Sequence, residues 1–221
     1  MIVMSTRSFL IIGLGRFGRH VASKLNDMGM QVMAVDKEEK RVEEVLNYVT
    51  NAQVGDGTNQ DFLSSLGVRN FDVCIVAIGD DFLAALETTS YLKELGAKKV
   101  VSRASRDTQR KFLLRNGADD VVYPERDMGE WAAVRYAGDN IFDYMQLDGD
   151  FGVFEVGVPS AWVGRTIGEI GVRSHYKMNI VAVKTGKNMD VMTGADYTLE
   201  PGQTLMVLGR TKDITKYFNV R

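Results

Sequence analysis

The chain has 221 residues, 45% of them hydrophobic, which suits one or two domains with a buried core. Its formal net charge of −2 carries no electrostatic footprint for nucleic acid or for an anionic membrane surface. A single cysteine, Cys74, excludes an internal disulfide and a cysteine metal cluster and fits a reducing cytoplasm.

The first apolar run, residues 9–12, reads as a strand. It is far too short to span a bilayer, and no signal peptide is read, so any service to a membrane is expected to go through a partner. A glycine loop follows, Gly13-Leu14-Gly15-Arg16-Phe17-Gly18. Next comes a helix whose Val21, Ala22, Leu25 and Met28 are spaced to share one face, closed by Gly29. A second apolar run, residues 32–35, ends on Asp36, with Lys37 next to it. Strand, tight turn, helix, strand and acid come in the order of a nucleotide-binding βαβ unit. Gly13 permits the turn, Gly15 lets backbone approach a pyrophosphate, and Gly18 lets the helix sit close on the sheet. The first helical turn offers unpaired N–H groups and the positive end of a dipole, where Arg16 also lies. Asp36 would accept from ribose hydroxyls. The alternative is a Rossmann fold whose site has decayed.

The βα rhythm continues. Residues 37–46 read as a charged helix with Val42, Val45 and Leu46 inward, and residues 52–54 as a third strand ending at Gly55-Asp56-Gly57-Thr58. Phe62, Leu63 and Leu66 mark a helix stopped by Gly67. Residues 73–77 form a buried strand that ends at Ala77 and runs into Ile78-Gly79-Asp80; a helix at 81–95 follows. Strands at 99–102 and 120–123 flank a helix at 108–116. Six short apolar strands alternating with amphipathic helices predict an α/β, doubly wound Rossmann-like parallel sheet. Pro124 then opens a helix reaching to about residue 140, with Trp131 and Tyr136 adding apolar surface. It either leaves the first domain to rest on something else, such as a second subunit, or folds back on its own sheet. Beyond residue 150 the pattern becomes a small α+β domain of antiparallel character. It has an edge-like strand at 151–158, a short helix at 166–174, a hairpin at 180–192, a strand at 204–208 and a closing helix with Ile214 and Phe218.

Ligands of open α/β sheets bind beyond the carboxyl ends of the strands. Those ends are the glycine loop, Asp36, Asp56-Gly57-Thr58, Ile78-Gly79-Asp80 and Arg103. Asp56 and Thr58 stand where an adenine amino group would lie, or else form an ordinary turn. Gly79 would allow close approach to the nucleotide. No nucleophile elbow, zinc motif or GxxxxGK loop is present; His20 falls inside the first helix as a packing or surface residue, and His175 has no evident acidic orienter. The chain reads as a ligand-reading module. The rival readings are a small NAD-dependent oxidoreductase and an NADH-sensing redox regulator.

Several segments taken together resemble the domains that regulate potassium conductance: residues 12–18, Ala34-Val35-Asp36, Val54-Gly55-Asp56-Gly57-Thr58, Val76-Ala77-Ile78-Gly79 and residues 117–125. The whole chain is similar to the cytosolic regulatory (RCK-type) subunit of Ktr/Trk bacterial potassium uptake systems. The resemblance implies an N-terminal nucleotide-binding domain at 1–134, a crossover helix at about 125–140 and a small C-terminal domain at 145–221. It implies a homo-octameric ring, a tetramer of dimers, docked peripherally on the cytoplasmic face of a membrane potassium-translocating subunit. ATP or ADP would bind the first domain, with NAD or NADH in some members. Gly13, Gly15 and Gly18 match the phosphate loop, Asp36 the ribose acid, and Arg16 an arginine that reaches a γ-phosphate in the neighbouring subunit. Glu125 matches a carboxylate near the phosphates that helps hold a divalent cation or sodium. The C-terminal domain resembles one that binds cyclic di-AMP. There Ile167, Ile170 and Val172 would give an apolar floor, Arg173 a phosphate contact, and Asn179 and Ile180 edge contacts. Ser174 and His175 are more polar than that pattern leads one to expect.

Overall fold

The computed structural model describes residues 6–218. Its contacts divide the chain into two compact units, Met1–Glu125 and Arg126–Arg221. The first five and last three residues of the expected domains lie outside the described residues.

The N-terminal unit runs β1 (Ser8–Ile12), α1 (Arg16–Asp27), β2 (Gln31–Asp36), α2 (Glu39–Glu43), β3 (Asn51–Val54), α3 (Gln60–Ser65), β4 (Val73–Val76), α4 (Phe82–Glu94), β5 (Val100–Arg103), α5 (Asp107–Arg115) and β6 (Asp120–Val122). The six strands lie in the order β3-β2-β1-β4-β5-β6, and every neighbouring pair is parallel. Both faces are covered, and the strand period of two shows it. Leu10 and Ile12 of β1 join one core with Cys74, Val76, Ala85 and Leu92, while Ile11 joins a second core with Ala22, Val32 and Ala34. Two expected core residues are not in it. Met28 is the C-cap of α1 and is 58% exposed, because the helix has already ended there. Leu46 is 54% exposed, because α2 stops at Glu43 and a single 3-10 turn takes over, shifting the side-chain directions. Val42 and Val45 are buried. Strand order reverses between β1 and β4, so a crevice opens beyond their carboxyl ends.

Helix α6 (Pro124–Tyr136) starts at the unit boundary. From Arg126 on it belongs to the C-terminal unit, where Val134 packs against the core and Trp131 Nε1 donates to Asp143 at 3.0 Å.

The C-terminal unit continues with β7 (Ile141–Asp148), β8 (Phe151–Gly157), α7 (Ile167–Ile170), α8 (Val172–Tyr176), β9 (Asn179–Thr185), β10 (Asn188–Asp190), β11 (Thr204–Arg210) and α9 (Thr211–Phe218). Its antiparallel sheet has the order β10-β9-β11-β8-β7. The expected edge strand, β8, is therefore interior; the sheet's edges are β10 and β7, and β7 is a strand absent from the sequence reading. The alternation of β8 reported one covered face, with Phe154 and Val156 inward, and says nothing about which strands flank it. Phe154, Val156, Trp162, Leu205, Val207, Ile214 and Phe218 build the core, each large apolar side chain contributing roughly 1.5–3 kcal/mol by its removal from water. The single helix expected at 166–174 is two short helices. Thr166 and Glu169 form a reciprocal capping box on the first, and Gly171, at φ 63°, breaks the run before the second.

Candidate functional site

The glycine loop leaves β1 with Gly13 at φ 97°, a conformation that favours glycine. Its N–H donates to the Val35 carbonyl at 2.8 Å, which ties the loop to β2. A Cβ on Gly18 would stand 1.9 Å from the Gly13 carbonyl oxygen, so α1 presses on the loop at this point. Gly15 is the N-cap of α1, no side chain caps it, and nothing lies within 4 Å of where its Cβ would be. The first turn carries no acid. Free N–H groups and an uncompensated positive dipole end therefore face open space, the arrangement that attracts a phosphate.

Asp36 ends β2 and is 5% exposed. Its Oδ2 accepts from the Leu14 N–H at 2.6 Å and its Oδ1 from the Glu38 N–H at 2.9 Å, with Arg41 Nη1 at 3.6 Å. The acid is thus a strut under the glycine loop, a role the sequence reading missed. Each carboxylate oxygen has a further lone pair for a ligand hydroxyl. Asp56 is exposed and accepts from the Thr58 N–H at 2.9 Å and the Thr58 hydroxyl at 2.8 Å on the same oxygen. These two bonds, the backbone one foremost, hold its carboxyl below the usual range against a small opposing effect of burial. The other oxygen stays free.

On the far side Arg103 ends β5 with its side chain 16% exposed. Its Nη2 donates to Glu125 Oε1, and its guanidinium carbon lies 5.7 Å from the Phe17 ring centroid. A Cβ on Gly79 would fall 2.2 Å from Arg103 Nη1. The room that glycine leaves, expected to admit a nucleotide, is taken by this guanidinium.

These groups surround a cleft of about 740 Å³. Every residue expected at the site lines it except Gly18, which packs behind the loop. Glu38, Arg41, Asp81, Leu83, Ala84 and Glu87 line it too and were not foreseen. Only Asp81 gave a local signal, as the N-cap of α4 accepting from the Ala84 N–H at 3.0 Å. Among the described residues no three His, Cys, Asp or Glu side chains gather so as to hold a metal ion, and Glu125 is bound to Arg103. Likewise, no helix among them is long and apolar enough to cross a membrane.

The second expected site is only partly accessible. Ile170 and Val172 are each 3% exposed and belong to the core of the C-terminal unit, turned inward by the two short helices. Ile167, Asn179 and Ile180 are half-buried and Arg173 is exposed. His175 is exposed, with Nδ1 at 3.1 Å from the Ile170 carbonyl.

A doubly wound sheet with a glycine loop, an acid on the second strand and a cleft at the switch point defines a nucleotide-binding Rossmann-type domain, here followed by a small antiparallel one. The TrkA-N domain family matches residues 9–124 and the TrkA-C domain family residues 153–220; the chain belongs to this TrkA-N/TrkA-C family. It is 37% identical over 211 residues to the Ktr system potassium uptake protein C of Bacillus subtilis (strain 168), covering 96% of each chain. To the Ktr system potassium uptake protein A of the same organism it is 32% identical over 216 residues, covering 98% of this chain and 97% of that one. The solved structure of the GsuK channel bound to NAD shares the fold at 17% identity and TM-score 0.69, spanning all of this chain and 41% of that one.

Proposed function

We propose that this chain is the cytosolic, nucleotide-binding gating subunit of a potassium uptake system, a regulator and not a catalyst. The observation that carries the reading is the cleft at the switch point, where uncapped α1 N–H groups, the strut Asp36 and the cation Arg103 converge. The 37% and 32% identity to potassium uptake proteins along nearly the whole chain supports the physiological half of it. ATP and ADP are the ligands we assign, with NAD or NADH able to present the same adenosine diphosphate. The diphosphate would lie on the α1 N-terminus, the ribose on Asp36, and the adenine edge against Asp56 and Thr58. Gly15, with nothing within 4 Å of where its Cβ would be, leaves the backbone open beside it.

Seven carboxylates line the cleft against four cationic side chains. A polyphosphate entering that field calls for a counter-cation, and a divalent ion or sodium held between ligand oxygens and Glu125 would supply it. Copies of the chain would form a homo-octameric ring on the cytoplasmic face of a membrane partner. Arg16 is exposed at the start of α1, free to reach a γ-phosphate in a neighbouring copy. A ligand changes such a ring only by binding two shapes with different affinity, and the γ-phosphate supplies the difference between ATP and ADP. Cyclic di-AMP is assigned to the C-terminal unit at Ile167, Arg173, Asn179 and Ile180.

The purified chain is expected to run as a large particle by size exclusion with light scattering, and ATP and ADP are expected to raise its melting temperature. Asp36→Asn should weaken either nucleotide by about tenfold or more, since a charge-assisted contact and the loop strut are lost together. Arg16→Ala should narrow the difference between the ATP and ADP responses. A monomer that ignores adenine nucleotides would remove the reading.

A further inference from the structure

We propose that Arg103 is a partner-exchanging residue: its guanidinium is held by Glu125 and passes to a ligand phosphate when one enters the cleft, releasing the first turn of α6. The inference rests on the nucleotide reading above. The guanidinium is fixed in position by three groups. The missing side chain of Gly79 leaves it room, the ring of Phe17 lies against it, and Glu125 binds Nη2. Its Nε, however, is buried without an acceptor. A buried N–H donor left unmatched on an arginine is costly, and Glu125 occupies only one edge of a five-donor fork. Arg103 therefore faces the cleft with hydrogen-bonding capacity that the protein does not fill, and oxyanions suit that planar fork best.

The pair is asymmetric in a way that sets the direction of exchange. Arg103 is 16% exposed, whereas the Glu125 side chain is 56% exposed. Glu125 can return to water at little cost, while Arg103 needs an anion wherever it turns. Glu125 is also the second residue of α6, and the boundary between the two units falls immediately after it. The ion pair thus pins the start of that helix to the end of β5. Moving Arg103 onto a phosphate unpins it, which turns the charge of the ligand into a change at the one helix that runs on into the C-terminal unit.

The test is a double-mutant cycle on the full chain, reading ADP affinity by calorimetry in chelator, so that no divalent ion bridges through Glu125. Arg103→Gln is expected to weaken ADP about tenfold or more, with a smaller loss for adenosine and partial recovery in Arg103→Lys. Glu125→Gln, by removing the competitor, is expected to strengthen ADP, and to have no effect once Arg103 is already Gln. Hydrogen exchange over residues 124–130 should rise when ADP binds to the wild type and stay unchanged in Arg103→Gln. Unchanged or weaker ADP binding in Glu125→Gln, or an exchange rate indifferent to ADP in the wild type, overturns the inference while leaving the nucleotide reading intact. A wild-type chain that binds no adenine nucleotide overturns both.

Discussion

Asp72 shows how one side chain can fasten a strand. It stands just ahead of β4, accepts from the Ser8 N–H at 2.9 Å across the sheet, and pairs with Lys98 at 3.0 Å. The Ser8 backbone bond, then Lys98, hold its carboxyl down to about 2. A folded-state value below the unfolded one means the contribution to stability is present at neutral pH. It is lost as pH falls from about 4 through the folded value. Asp72→Asn should therefore melt earlier than the wild type at neutral pH, and the two should converge as acid protonates the native carboxylate. Thermal melts at a series of pH values measure this, and a gap that persists at the acid end would contradict it. At this scale the sequence was informative about residue types and blind to pairings. Asp36 was recognisable as an acid at a strand end, but not as the acceptor for Leu14, which lies 22 residues away. The Arg103–Glu125 pair spans the same separation, and no local pattern encodes it.

Among the elements, α1 and its loop depend most on a single atom position. Alanine at 18 would put a methyl group 1.9 Å from the Gly13 carbonyl oxygen, against backbone that cannot step aside. Gly18→Ala is expected to cost roughly 1–3 kcal/mol or more, and to weaken nucleotide binding by displacing the loop; urea unfolding with nucleotide titration reads both. Parallel strands were easy to find because burial on both faces makes them continuous apolar runs between glycines, as in β1 and β4. Residues 141–148 were harder. Phe142, Met145 and Leu147 of β7 are 42%, 58% and 53% exposed, so the strand lacks the clean alternation that announces a half-buried one. Pairing with β8 defines β7, and that pairing is non-local. The helix break at Gly171 was missed because an isolated glycine in a helical pattern is usually tolerated.

Among the described residues, three apolar clusters lie in the first unit and one, built around Trp162 and Phe154, in the second. A ligand bound in the cleft should stabilise the unit that holds it. At a hundredfold its dissociation constant, ADP is expected to add about 2.7 kcal/mol to the N-terminal unit and nothing to the other. Scanning calorimetry with and without ADP would show one component moving and one fixed; equal movement of both would mean they unfold as one.

The contact between Asp36 and the Leu14 N–H also limits how sugar preference could drift. Trading the acid for a neutral or basic residue, the simplest route toward a 2′-phosphorylated dinucleotide, would unfasten the turn that the proposed function assigns to the diphosphate. On the proposed nucleotide reading, such a switch would need a second, compensating anchor for the loop, two coordinated changes rather than one.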